Sequence, residues 1–160
     1  MLSSKRFTVH LDGTHGIHIP DAIGDAFAKA GHQRIAVRAY FEDRTLDFHC
    51  KLHRYKERYL ITFGKRNQKA LGMYPSDFFE LQLFEDQTKY GVEVPEAFQA
   101  VLDSDPEGAA LFENLTPGRK RGLIYYIARF KRTQTQVDKT LIIFNNLKSG
   151  IKDPRLLIKA

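Results

Sequence analysis

The sequence predicts an α+β protein: a small antiparallel β-barrel in residues 1–94, a bundle of about four short helices in residues 95–150, and a tail in residues 151–160. Three observations support this prediction. Six segments before position 94 alternate apolar and polar side chains, which is typical of strands with one buried face. From Pro95 onward, the apolar residues follow helical spacing instead. The net charge also changes, from −3 over residues 1–114 to +9 over residues 115–160.

The predicted strands place their apolar residues on one side, as Phe7, Val9 and Leu11 do in the first strand. Turn residues fill positions 12–16, so we expect a hairpin between the first and second strands. Residues 42–44 form a natural turn between the two longest strands. The six predicted strands cover residues 7–11, 16–19, 34–41, 46–52, 59–63 and 79–83.

Two short helices are predicted among these strands. Pro20 suits the first position of a helix over residues 20–30, and Gly31 suits its left-handed C-terminal cap. A second short helix covers residues 64–72 and ends at Gly72. Two short helices cannot cover the apolar side of six strands, so we expect the sheet to curl into a small barrel.

Capping residues mark the helices of the second part. Ser104 or Asp105 suits the N-cap of the second helix, Thr116 that of the third, and Thr133 or Thr135 that of the fourth. The predicted helices cover residues 96–102, a stretch from Pro106, a stretch from Pro117 to about Arg132, and a stretch that ends at Gly150. Their apolar stripes include Leu123, Ile124, Ile127 and Phe130 in the third helix, and Val137, Leu141, Phe144 and Leu147 in the fourth.

Composition excludes several classes of protein. Cys50 is the only cysteine, so no intramolecular disulfide can form. The N-terminal segment has no apolar region typical of a signal peptide, and no apolar run reaches the roughly 20 residues of a membrane span. We therefore expect a soluble, cytoplasmic protein without membrane insertion.

No catalytic, cofactor or metal site is predicted. Cys50 falls on the apolar side of its strand, where a thiol is inert. His10 and His18 could face each other across the expected hairpin, but two ligands are fewer than a zinc site usually presents. His49 and His53 are four residues apart on one strand face, too far apart to share a metal unless the strand bends.

A basic run in the third predicted helix is the most informative feature. Residues 119–121 lie in the first turn, where cations oppose the helix dipole, so this choice indicates a purpose other than helix stability. Tyr125 and Tyr126 lie nearby, as at a surface that faces phosphates. The candidate polyanion-binding residues are Arg119, Lys120, Arg121, Arg129, Lys131 and Arg132. The alternative interpretation is ordinary surface charge beside an acidic neighbour.

A second basic cluster lies on the strands and their turns. Residues 44–69 contain eight lysines and arginines against Asp47 and Glu57. Lysines on edge strands commonly deter aggregation, and this is the interpretation we prefer for the cluster.

The helical part resembles the YdeI/OmpD-associated family, also described as bacteriocin-protection. The matching residues are Asp105, Pro106, Glu107, Phe112, Leu115, Thr116, Pro117, Arg119, Lys120, Arg121, Tyr125, Ile127, Ala128, Lys131, Arg132 and Thr135. Members of the family often carry several arginines after the last threonine, whereas residues 136–139 here read Gln-Val-Asp-Lys.

Residues 5–94 resemble a bacterial domain of unknown function that often precedes this helical segment. The matching features are the Gly16–Pro20 strand, the two long strands and the Leu71–Tyr74 stretch. The resemblance implies a double-split β-barrel similar to AbrB/MazE barrels. Such barrels form by swapping between chains, whereas six strands can also close a barrel within one chain, so the oligomeric state stays open.

These observations favour a non-enzymatic binding or stress-response module, and the family resemblance implies a link to tolerance of bacteriocins or antimicrobial peptides. A basic protein repels cationic peptides, so a bound peptide would require the acidic first part or an apolar groove. The first alternative is a nucleic-acid-binding regulator that uses residues 119–132. The second is an enzyme with a cleft between barrel and helices.

Overall fold

The computed structural model describes residues 1–160 and divides them into two compact units, Met1–Gln87 and Thr88–Ala160. The sequence places this boundary after residue 94 instead. The difference arises because Tyr90 and Val92 are buried in the core of the second unit, so the segment before the first predicted helix packs with the helices. The α+β class is confirmed, with antiparallel sheets in the first unit and helices in the second.

Seven strands and two helices form the first unit. They are β1 (Phe7–Val9), β2 (Gly16–Ile19), α1 (Asp21–Lys29), β3 (Arg34–Phe41), β4 (Arg44–Lys51), β5 (His53–Tyr55), β6 (Arg58–Thr62), α2 (Lys65–Leu71) and β7 (Phe79–Glu85). A four-stranded sheet has the order β1-β7-β3-β4, and a three-stranded sheet has the order β2-β6-β5. The sequence did not predict β5, because three residues are too short a segment to show alternation.

The expected hairpin between the first two strands is wrong. β1 pairs with β7, with Phe7 opposite Leu81, while β2 pairs with β6, with Ile17 opposite Ile61. Only one bridge, between Asp12 and Gly16, joins the two segments. Alternation shows which side of a strand is buried, but it does not show which strand lies beside it, and here the two strands enter different sheets.

The two sheets and both helices share one apolar core. Ile35 and Leu81 contribute from the four-stranded sheet and Ile61 from the three-stranded sheet, all fully buried. Phe27 of α1 and Leu71 of α2 pack into the same core. All strand pairs are antiparallel, as predicted. Closure of the strands into a barrel stays a prediction.

Five helices form the second unit: α3 (Glu96–Ser104), α4 (Pro106–Glu113), α5 (Pro117–Ala128), α6 (Thr133–Lys148) and α7 (Pro154–Leu157). Its core centres on three buried rings. Phe98 lies 5.2 Å from Phe112 and 5.9 Å from Phe144, measured between ring centroids, and both contacts are edge-to-face. None of the helices of the chain combines the length and apolar character that a membrane span needs.

Two of the predicted N-caps are present and the third is wrong. Asp105 accepts a hydrogen bond from the Gly108 amide, and Thr116 accepts one from the Arg119 amide. The N-cap position of α6 is Arg132, which has an extended backbone and whose side chain makes no capping hydrogen bond. Neither Thr133 nor Thr135 therefore caps this helix. The helix therefore begins at the first of the two threonines.

The apolar side of α6 differs from the predicted stripe. Leu141 is 43% exposed, whereas Thr140 is fully buried. The Thr140 hydroxyl donates to the Gln136 carbonyl at 2.7 Å, so a polar side chain can occupy the buried side without an unpaired group. The side of α6 that faces the core instead carries Thr140, Ile143, Phe144 and Leu147.

The last ten residues are not the loose tail that the sequence predicts. Asp153 caps α7 by accepting from the Arg155 amide, and Leu157 is fully buried. The Asn146 amide donates to the carbonyls of Leu157 and Lys159, each at 2.8 Å. One buried leucine and one amide side chain thus hold a segment whose composition alone gives no sign of order.

Candidate functional site

The basic run lies where the sequence predicts it, in the first turn of α5. Thr116 and Pro117 start this helix, and the Thr116 hydroxyl accepts from the Arg119 amide at 3.3 Å. Arg119, Lys120 and Arg121 nevertheless lie on different sides of the helix, because consecutive helix residues are separated by about 100° around the axis.

Lys120 is held within the protein. Its ammonium group lies 3.5 Å from a Glu113 carboxylate oxygen and 3.3 Å from the Glu113 carbonyl, and its side chain is only 15% exposed. The Tyr90 hydroxyl donates to the same carboxylate, and Lys89 pairs with it at 3.3 Å. Burial acts to raise the pKa of Glu113, but the Tyr90 hydrogen bond and the two ammonium groups outweigh it and lower that pKa. Lys120 is therefore a structural cation.

Arg121, Tyr125 and Arg129 are four residues apart and share one side of the α5 helix. Arg129 is the C-cap residue and keeps helical backbone angles. Tyr125 is 49% exposed, and neither arginine has a carboxylate within ion-pair distance. Two cations with an aromatic ring between them therefore face outward.

Lys131 and Arg132 lie beyond the end of α5, contrary to the prediction that they close it. The helix ends at Ala128, and residues 129–132 link it to α6. The side-chain amide of Gln136 donates to the Phe130 carbonyl at 2.8 Å and so ties this link to α6. Both cations are exposed and have no carboxylate partner.

An aromatic pair connects the link to α6. The rings of Tyr126 and Phe130 meet edge-to-face with centroids 5.1 Å apart. Arg129 lies 5.5 Å from the Tyr126 centroid, and Lys139 lies 5.7 Å from the Phe130 centroid. Sequence reasoning missed Lys139, although it lies two helical turns after Arg132 and could have been found by that spacing. We call Arg121, Arg129, Lys131, Arg132 and Lys139 the basic face.

Arg119 lies apart from the basic face, on the other side of α5 from Arg121. Together with Lys152, it borders a cavity of about 170 Å³ whose apolar lining includes Leu111, Leu147 and Ile151. Of the six predicted residues, four belong to the basic face, Lys120 binds Glu113, and Arg119 lies beside this cavity.

The histidines of the first unit are dispersed. The rings of His18 and His32 lie 2.6 Å from Asp12 and 3.3 Å from Glu85, respectively. His10 contacts the Phe78 ring edge-to-face, and the hairpin across which His10 could have faced His18 does not form, because their strands pair with β7 and β6. No three histidine, cysteine, aspartate or glutamate side chains have the arrangement that a metal ion needs.

The cysteine has the chemistry of a buried thiol. Cys50 packs partly buried against the core of the first unit. Burial raises its pKa to about 12, against a smaller opposing effect of Arg34. A thiol with so high a pKa supplies almost no thiolate at neutral pH and is a poor nucleophile.

Comparisons with known proteins support the resemblance of the helical unit. A search of curated proteins found no match for the chain. The solution structure of PHS018 from Pyrococcus horikoshii is 14% identical with a TM-score of 0.40, over 53% of this chain and 94% of that one, a likeness too low to indicate a shared fold. Residues 91–150 match the family described as "Bacteriocin-protection, YdeI or OmpD-Associated", which confirms the family resemblance for the helical segment of this chain.

Proposed function

We propose that this protein is a non-enzymatic binding module whose helical unit binds a polyanion, with nucleic acid as the class of partner. The basic face is the binding surface in this proposal. The observation that carries it is the contrast between two sets of cations. Lys120 and Lys148 lie within 4 Å of a carboxylate, whereas Arg121, Arg129 and Arg132 have no such partner. Uncompensated cations on one surface attract phosphates at long range.

The aromatic side chains of the basic face favour nucleic acid over other polyanions. Tyr125 is exposed between Arg121 and Arg129, and the Tyr126–Phe130 pair lies under Arg129 and Lys139. The exposed ring of Tyr125 among arginines and lysines suits stacking on a base, while the cations neutralise the backbone of a single-stranded nucleic acid. A sulfated or carboxylated polyanion would gain nothing from the rings.

The family description, bacteriocin protection, concerns physiology and not chemistry. In this proposal, tolerance would follow from binding of an anionic partner and not from capture of a cationic peptide, which the basic face would repel.

Fluorescence anisotropy of labelled single-stranded DNA and RNA tests the proposal on the full chain. We expect binding at low salt whose logarithmic slope against salt falls by about 0.7 for each cation removed, as expected for single strands. Arg129→Gln should reduce both affinity and slope. Arg155→Gln is the matched control, because it removes one arginine of the same unit that is paired with Asp153 at 2.9 Å.

Two outcomes would contradict the proposal. One is absence of binding at low salt, which would leave the basic face as solvated surface charge. The other is an equal loss of affinity in the two variants, since net charge alone and not the basic face would then control association.

A further inference from the structure

A cavity of about 400 Å³ opens on the first unit, where the chain passes from β4 in the four-stranded sheet to β5 in the three-stranded sheet. One wall is the C-terminal end of α1 with the link to β3, which includes His32. The opposite wall is the corner between the two strands, residues 51–54, and Tyr59 of β6 closes one side. The volume falls within the range of small-molecule sites, roughly 300–1,000 Å³.

The corner orients its side chains through one buried residue. Leu52 is 8% exposed and points into the core, and its amide donates to the Gln33 carbonyl at 2.8 Å. Because successive side chains of an extended segment point to opposite sides, Lys51 and His53 point away from the core. Both border the cavity.

Tyr59 gives the cavity a fixed wall. Its hydroxyl donates to Asp25 at 2.7 Å, and its ring packs against Gly24, where a Cβ atom would lie 2.2 Å from the ring. The Arg54 guanidinium lies 5.4 Å from the centroid of this ring. A cation–π contact of this kind holds the guanidinium beside the cavity without neutralising its charge.

The two formally charged residues of the lining, Lys51 and Arg54, are both positive, and His53 adds a polar ring nitrogen. Lys51, His53 and Arg54 border the cavity without a carboxylate partner, and no aspartate or glutamate belongs to the lining. The nearest paired group is His32, whose ring lies 3.3 Å from Glu85. Cations in a concave site concentrate the field and raise the local concentration of an anionic ligand.

We propose that this cavity binds a small phosphate monoester. A phosphate presents three strong acceptor oxygens and can accept from both sides of the corner, from Lys51 and His53 on one side and from Arg54 beside Tyr59 on the other, whereas a carboxylate presents only two oxygens. Arginine and lysine are also the usual phosphate-binding side chains. The lining beside Leu52 and Ala28 leaves room for a compact organic group. This site lies in the first unit and recognises a single phosphate group, so it is independent of polyanion binding by the basic face.

Amide chemical shifts of the full chain, titrated with ribose 5-phosphate, ribose and inorganic phosphate, test the assignment. We expect ribose 5-phosphate to shift resonances of residues 28–33, 51–54 and 59, and ribose to shift none of them. Arg54→Gln should weaken binding by about tenfold or more, as expected for loss of a charge-assisted hydrogen bond. Arg58→Gln is the matched control, because Arg58 is an exposed arginine of the same hairpin outside this cavity.

Three outcomes would overturn the proposal. Shifts spread over the basic face of the helical unit would mean general anion binding. Equal chemical-shift changes with ribose and with ribose 5-phosphate would mean that the site does not recognise the phosphate group. Tighter binding of a 5′-phosphorylated oligonucleotide than of ribose 5-phosphate, with shifts that include residues 51–54 and extend beyond the cavity, would assign the cations of this corner to a polymer.

Discussion

Two helical glycines of the second unit differ in their surroundings, and the same substitution should therefore have opposite effects. Gly108 lies in α4, where an added Cβ would be 2.5 Å from a ring carbon of Phe144 and 2.7 Å from an Asp105 carboxylate oxygen. Gly122 lies in α5, where an added Cβ would meet nothing within 4 Å. Neither glycine has a positive φ angle, so backbone conformation does not require either of them.

Each substitution changes the free energy of unfolding through a different balance. Gly122→Ala gains helix propensity without a clash, so we expect stabilisation of about 0.5–1 kcal/mol. Gly108→Ala gains the same propensity, but Phe144 is fully buried and cannot move without displacing the aromatic core. Overpacking of this kind costs about 1–3 kcal/mol, so after the gain in propensity we expect net destabilisation of up to about 2.5 kcal/mol.

Thermal and urea unfolding of the full chain, followed by circular dichroism, measures both effects. For a unit of this size, 1 kcal/mol corresponds to a change in Tm of roughly 4–8 °C. We expect Tm to rise in Gly122→Ala and to fall in Gly108→Ala. If Gly108→Ala were as stable as Gly122→Ala, the close approach of α4 to α6 at Phe144 would be wrong, and with it the packing of the helical core.

Three further predictions concern single side chains. Asp105→Asn should lower stability at neutral pH, because hydrogen bonding to Lys148 holds the pKa of Asp105 below its usual value. That stabilisation is present above the unfolded pKa and is lost as pH falls through the folded one, so urea midpoints of the two proteins should converge in acid. Cys50 should react with a disulfide reagent slowly in the native protein and quickly in denaturant, because burial raises its pKa to about 12; fast native labelling would contradict its burial. Lys120→Gln should lower the free energy of unfolding by about 1 kcal/mol while Arg121→Gln leaves it unchanged, since only Lys120 is paired, and equal urea midpoints would refute this distinction.

Much of the local structure follows from the sequence because it depends on neighbouring residues. Asp105 and Thr116 cap their helices as predicted, since a short polar side chain reaches the amide three positions later without help from the rest of the fold. Gly31 and Gly72 have the positive φ angles of helix ends, which glycine adopts without steric cost. The position of the basic run in the first turn of α5 follows from the same capping signals.

The surroundings of the six candidate cations could be predicted only in part, because charge in a sequence does not show what lies next to it. Six cations were expected to act together, but the carboxylate that pairs with Lys120 belongs to the preceding helix, and the rings that hold Arg129 and Lys139 meet only through the link between α5 and α6. The cavity of the first unit also joins segments that are far apart in the chain, residues 28–33 and 51–59. No local sequence pattern predicts that these two segments lie side by side.

By itself, the sequence determined the α+β class, the buried side of most strands, two helix caps and the family resemblance of residues 95–150, a segment that lies within the family match to residues 91–150. Only the tertiary structure decided that β1 pairs with β7 and β2 with β6, that Lys120 is internal, and that the last residues pack through Leu157. The physical reason is the distance along the chain over which each effect acts. Propensity, capping and alternation act over a few residues, whereas strand pairing and burial depend on contacts between residues far apart in the chain.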